Sequence, residues 1–288
     1  MKLSIKNVLI VYKKTFFESA FLNKDKKQEE IPFTKSEISH FRSMHDEHYK
    51  TLDKIVGVLK KFEIKYEKTQ RRAGIDYQKR DLVITVGGDG TFLHAARNLR
   101  KQMILGVNSD PVRSVGRLCL TMRDSFEDIF CKILLNKRAP ILIQRLSVVF
   151  KKKKMTSEVI NDILICDQNP AAMSRYELNI NSVKEYQRSS GIWFSTSVGS
   201  TGAIHSAGSK KVKLLSDKFL YQPRELYYCK NHSYQLKGGV FNISRPVGVR
   251  SSMTDGVVYL DGAHYQVPFH FGDQIQIVRS KYPLKTFL

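Results

Sequence analysis

Residues 83–97 read VITVGGDGTFLHAAR. An uninterrupted apolar run passes through two glycines, an aspartate and a third glycine, straight into a helix-forming segment. Continuous apolar character marks a strand covered on both faces. A strand that turns so tightly into a helix belongs to an open α/β sheet, and the turn lies at the carboxyl edge, where ligands collect. Gly87, Gly88 and Gly90 let backbone approach a ligand closely. The new helix exposes unpaired N–H groups and a partial positive charge, which suit a phosphate. Asp89 is then a carboxylate beside a phosphate seat, a repulsive placement unless it has a task. Two tasks fit: accepting a proton from an attacking hydroxyl, or holding a metal that bridges phosphates. The same residues also suit a plain tight turn in which Asp89 and Thr91 cap the helix. Local physics leaves both readings open.

The neighbouring chain extends that sheet. Residues 7–12 (NVLIVY) and 103–107 (MILGV) are further strand-like runs, and residues 63–68 form another. A polar, lysine-rich loop is expected at residues 23–32. Leu52, Ile55, Val56 and Leu59 recur at the spacing of one helix face within a helix predicted over 35–62, and residues 92–100 and 125–135 read as two more. Strands alternating with helices give a doubly wound parallel sheet. After about Pro140 the pattern changes. Residues 141–150, 159–166, 175–181, 193–195, 241–249, 256–260, 266–271 and 274–278 are short and β-rich. Turn formers such as residues 167–170 and the Asp261-Gly262 pair part many of them. We expect an α/β nucleotide-binding domain over residues 1–138 and an antiparallel, all-β domain over residues 139–288.

A chain of 288 residues with 42% hydrophobic and 26% charged residues has enough apolar content for a buried core. It contains no apolar run near the roughly 18 residues of a bilayer span, and the apolar stretch at residues 8–12 is too short for a signal-peptide core. The expected compartment is the cytoplasm, with no membrane partner. Cys119, Cys131, Cys166 and Cys229 form no CxxC pair and have no histidine at ligand spacing, so we read reduced, mostly buried thiols and no metal site. The net charge of +21 attracts polyanions. Its lysines and arginines are scattered (Lys24 to Lys27, Lys151 to Lys154 among them), and no nucleic-acid-binding motif accompanies them.

Two further segments carry polar groups in patterns that suit a ligand. Residues 191–208 read GIWFSTSVGSTGAIHSAG. Small hydroxyl residues beside glycines supply donors, acceptors and close backbone access to a flat polar ligand. A Ser/Thr-rich loop whose Ser200 or Thr201 caps a helix is the plainer alternative. Residues 159–163 read VINDI, where Asn161 and Asp162 suit either a ligand or a turn. In the loop after the 103–107 run, Arg113 and Arg117 are placed to clamp phosphate oxygens or to remain solvated, and Asp110, before Pro111, suits a turn or, as the alternative, helps with a metal.

These segments together resemble the NAD kinase family. GGDGT after a strand is shared by NAD kinases, diacylglycerol and sphingosine kinases and 6-phosphofructokinases, all of which phosphorylate a hydroxyl. The 191–208 segment resembles the NAD kinase signature STPTGSTAYSLSAGG and is not found in the lipid kinases. VINDI stands where the family has an Asn-Glu pair. GVNSDPVRSVGRLCL at residues 106–120, Ser189-Ser190-Gly191 and AAMSRYE at residues 171–177 resemble the mitochondrial NAD kinases of animals, as does the tail from Ser244 to Leu260.

The resemblance implies transfer of the γ-phosphate of ATP to the adenosine-ribose 2′-hydroxyl of NAD or NADH, with Mg2+ accompanying ATP. It implies Asp89 as the catalytic residue. Substrate contacts follow at Gly87, Gly88, Gly90, Thr91, Arg113, Leu120, Asn161, Asp162, Arg188, Ser190, Ser200, Thr201, Gly202, Ala203 and Ser206, with no metal ligand in the chain. The last strands return toward the first domain, and a homodimer is expected. Ala203 in place of a tyrosine, Gly202 of an alanine, Ser209 of a glycine, Ser190 of an acid and Leu120 of a phenylalanine bear on the NAD versus NADH preference and on base stacking. The alternatives are another GGDGT-type kinase with a lipid or sugar acceptor, or a non-enzymatic basic protein that binds nucleotide or nucleic acid.

Overall fold

Three of the apolar runs, Asn7–Tyr12, Leu82–Gly87 and Met103–Asn108, pair side by side in parallel. The computed structural model describes residues 4–22, 32–150, 155–229, 233–241 and 245–288 of the chain. The lysine-rich loop at residues 23–32 and the Lys151 to Lys154 run therefore lie almost wholly outside the described residues. Contacts divide the chain into one unit of residues 1–141 with 284–288 and a second of residues 142–283.

The first unit holds one sheet, ordered Lys65–Gln70, Asn7–Tyr12, Leu82–Gly87, Met103–Asn108, Leu284–Phe287 and Ile141–Ile143, with Thr121–Met122 also paired to Met103–Asn108. Leu82–Gly87 and Met103–Asn108 are buried along their whole length, as their unbroken apolar character requires. The helix Lys35–Lys61 starts at a reciprocal capping box, with the Glu37 N–H donating to Thr34 Oγ1 and the Thr34 N–H to the Glu37 carboxylate. It buries Leu52, Ile55, Val58 and Leu59 in the same core as Phe126 and Phe130 of the helix Phe126–Leu134. Each such side chain contributes about 1.5–3 kcal/mol by leaving water. The parallel strand Leu284–Phe287, beside Met103–Asn108, is the return of the chain end to this sheet; sequence periodicity had not marked it.

The second unit is built of two antiparallel sheets. One runs Val183–Ser189, Ser174–Ile180, Val247–Ser251, Gln274–Arg279, Leu146–Phe150 and Met155–Val159. The other runs Gly239–Phe241, Phe219–Pro223, Ile192–Ser195, Asp162–Asp167, Gly256–Leu260 and Gln266–Pro268. A shared core that includes Tyr176, Phe194, Phe219 and Phe269 joins them. The expected run 141–150 is in fact two strands in different sheets, because the chain passes between units at residue 142. Among the described residues no helix is long and apolar enough to cross a membrane. The four thiols are free, but only Cys166 is buried and Cys229 is exposed, so burial is narrower than composition suggested.

Candidate active site

In the first unit the Leu82–Gly87 strand ends on a glycine with φ of +154°, and a Cβ there would collide with the Thr91 hydroxyl. Only glycine makes this turn. The helix Asp89–Ala96 starts inside the motif, with Gly88 at its N-cap and no side-chain cap. The capping alternative for Asp89 and Thr91 is thereby corrected. Asp89 points instead at the loop that follows the next strand: Oδ1 accepts the Leu118 N–H at 2.8 Å and Oδ2 the Arg117 N–H at 3.2 Å. The carboxylate is fixed at both oxygens, while the first-turn N–H groups have no side-chain acceptor and suit an anion.

That loop is pinned in turn. Asn108 Nδ2 donates to Ser114 O at 2.8 Å, and Asn108 Oδ1 accepts the Asp110 N–H at 3.1 Å. Buried Ser109 shares a hydrogen bond of 2.9 Å with buried His48. Arg113 Nη1 donates to Asp110 Oδ1 at 3.1 Å, a pair within the loop that the sequence did not foresee; Arg113 and Arg117 are both exposed. Leu120 packs against the unit's core. Burial pushes the Cys119 thiol up to about 12, with Asp89 adding to the effect, so this thiol stays protonated. Sequence reading passed over Lys13 and Arg71, which directly follow the strands Asn7–Tyr12 and Lys65–Gln70. Burial holds the Lys13 amine below its ordinary range, with Asp110 opposing. A Cβ on Gly90 would lie 3.8 Å from Arg71 Nη1. Their signal was position: a cation immediately after a parallel strand stands at the ligand edge.

In the second unit, Asn161 and Asp162 form the turn into the Asp162–Asp167 strand, which pairs with Ile192–Ser195. The signature segment folds against this turn. Asn161 O accepts the Thr196 N–H at 3.0 Å and Ser195 Oγ at 2.9 Å, and Thr196 Oγ1 donates to Ile160 O. Gly199 passes so close to Asn161 O that a side chain there would overlap it. Thr201, Gly202, Ala203 and Ser206 are exposed along the turn Gly199–Thr201 and the short helix Ala203–Ser206. Asp162 lies beneath them, its Oδ2 3.9 Å from where a Gly202 Cβ would stand. Burial, then the neighbouring Asp261, raises its carboxyl from 3.8 to about 7.

Several expectations change here. Ser200 is fully buried and its hydroxyl donates to Ser197 O at 2.7 Å while accepting the Val212 N–H at 3.3 Å. Its hydroxyl braces the loop. Neither Ser200 nor Thr201 caps a helix; the helical turns begin at Val198 and Gly202 without side-chain caps. Arg188 lies on a strand of the other sheet, its guanidinium over the Tyr227 ring at 5.1 Å and near Cys229 Sγ at 3.8 Å. Ser190, half-buried, donates its N–H to Arg224 O at 2.9 Å at the corner between sheets. Asp261 was read only as a turn former; it anchors the Asn161 turn.

A glycine turn at the carboxyl edge of a parallel sheet, opening into an uncapped helix beside an oriented carboxylate, suits a phosphate-handling α/β enzyme. The ATP-NAD kinase N-terminal domain family matches residues 3–111. A probable NADH kinase of Oryza sativa is 32% identical over 72% of this chain and 71% of its own. The mitochondrial NAD kinase 2 of Homo sapiens is 33% identical over 40% of this chain and 29% of its own. The crystal structure of an NAD kinase from Archaeoglobus fulgidus, in complex with ATP, superposes with a TM-score of 0.71 over 98% of this chain and 93% of that one, at 22% identity. The chain belongs to the NAD kinase family, whose reaction is the ATP-dependent phosphorylation of NAD(H).

Proposed function

We propose that Asp89 is the residue that takes the proton of the attacking hydroxyl, the adenosine-ribose 2′-OH of NAD or NADH. The 2′-oxygen forms a bond to the γ-phosphorus of ATP as the bond from that phosphorus to the β,γ-bridging oxygen breaks, and ADP leaves. ATP enters as its magnesium complex, a substrate. The N–H groups at the start of the Asp89–Ala96 helix offset charge on the transferring phosphoryl group. In the second unit, Asn161, Asp162, Thr201 and Ser206 hold the dinucleotide, with Gly202 and Ala203 giving close backbone access. The observation that carries this reading is the Asp89 carboxylate, fixed by two backbone N–H groups at 2.8 and 3.2 Å beside an uncapped helix start. A carboxylate held so is orientated for one hydroxyl. A homodimer is the assembly the family resemblance suggests, checked by sedimentation.

The test is formation of NADP(H) by purified protein from Mg·ATP with NAD and NADH in parallel. Asp89→Asn should lower kcat by at least ~10²-fold, the range of a general base, with dinucleotide binding largely kept. Near-normal turnover in that variant would remove Asp89 from the chemistry.

A further inference from the structure

The Asn161 turn is held from below by a residue 100 positions away. Asp261 is 9% exposed and has φ of +51°, a left-handed conformation for a residue with a side chain. Both its carboxylate oxygens accept the Ile160 N–H, at 3.0 and 3.2 Å, and Oδ1 also accepts the Asn161 N–H at 2.7 Å. Its own N–H donates to Asp162 O at 2.9 Å. Asp261 therefore binds three successive residues of the turn that presents Asn161 and Asp162. An aspartate keeps such a conformation only where the surroundings over-determine it.

The two acids are unequally equipped. Backbone N–H donors favour the ionised form of Asp261. Asp162 is 8% exposed and, among the described residues, no protein donor reaches its carboxyl. Two buried carboxyls beside each other do not both ionise readily. The one without donors takes the proton, and a protonated carboxyl both donates and accepts hydrogen bonds. We propose that Asp261 is a positioning residue for the dinucleotide: it fixes the backbone of the 160–162 turn and, as the ionised member of the pair, makes Asp162 the proton-carrying acid that donates to a ligand hydroxyl. This rests on the assignment of Asn161 and Asp162 to the dinucleotide.

Asp261 is the charged neighbour that acts on Asp162, so the pair has a pH signature that a purely structural role would lack. The experiment is equilibrium binding of NAD and of NADH, without ATP, from pH 6 to 8. In the wild type, Kd should rise about tenfold over that range, as the protonated fraction of a carboxyl titrating near 7 falls by that factor. Asp261→Asn removes the like charge; its break should move to lower pH and its affinity at pH 6.5 should fall at least ~5-fold. Asp162→Asn carries an amide donor at every pH and should bind independently of pH. A wild-type Kd that is flat from pH 6 to 8, or an unmoved break in Asp261→Asn, overturns the proposal. If Asp261→Asn does not fold, Asp261→Ser, which keeps an oxygen acceptor and removes the charge, decides: a break moved to lower pH supports the pair and a wild-type break refutes it. A wild type that binds neither dinucleotide at any pH refutes the underlying functional reading, and this proposal with it.

Discussion

Replacing Asp162 by asparagine isolates the energetic consequence of burying a carboxyl beside a second acid. Burial first, and Asp261 second, raise its carboxyl from 3.8 to about 7. The direction of the pH effect follows from linkage. Below about pH 4 the group is protonated in both folded and unfolded chains and has no effect. As pH rises from 4 to 7 the unfolded chain ionises it while the folded chain keeps the proton. Stability is lost across that window, and the loss is complete above 7. About three units at roughly 1.36 kcal/mol each give about 4 kcal/mol. That is a large share of a typical 5–15 kcal/mol for a folded domain. Asp162→Asn cannot ionise, so it should exceed the wild type by several kcal/mol at pH 8 and match it near pH 4. Urea unfolding at pH 4, 6 and 8 measures this. The chain's single tryptophan, Trp193, reports on the right place: it lies on the Ile192–Ser195 strand, opposite Leu164 of the Asp162–Asp167 strand. Parallel loss of stability in both proteins from pH 4 to 8, or a variant weaker at pH 8, would refute the reasoning.

His48 gives the opposite dependence in the first unit. Burial, then Lys13, lowers its imidazole from 6.5 to about 4, so stability is present above 6.5 and lost as pH falls toward 4. His48→Gln should flatten this acid limb, worth about 3 kcal/mol, in urea midpoints at pH 7 and 4.5. Gly87→Ala puts a Cβ into the Thr91 hydroxyl at a φ that L-residues avoid; about 1–3 kcal/mol of strain should lower the melting temperature and abolish turnover. Phe287→Ala empties a fully buried site in the strand that returns to the first sheet; it should cost about 3–5 kcal/mol, and a loss under 1 kcal/mol in urea unfolding would show that the returning strand is dispensable.

The parts of the site visible in the sequence are those whose cause is local. A buried strand, Gly87 and an uncapped helix are consecutive, so their physics is contained in seven or eight residues. The likeness of residues 191–208 to a known signature singled out the segment, but could not sort its side chains. Ser200 turned inward to brace the loop, and Thr201 and Ser206 remained exposed, because adjacent positions on a tight turn face opposite ways. Arg188 was a basic residue in a family-like position, yet its strand belongs to the other sheet and its charge rests on Tyr227.

By itself the sequence determined the class of fold, the change from a parallel α/β region to antiparallel strands, and the glycine turn with its aspartate, since period and turn chemistry act between near neighbours. The tertiary structure alone decided what holds those residues in place. Asp89 is fixed by N–H groups 28 and 29 residues away, Asn161 by a carboxylate 100 residues away, and the first sheet takes in a strand from the end of the chain. Such contacts join segments whose separation leaves no periodic trace. Their partners are backbone N–H and C=O groups, which every residue carries, so residue identity cannot announce them.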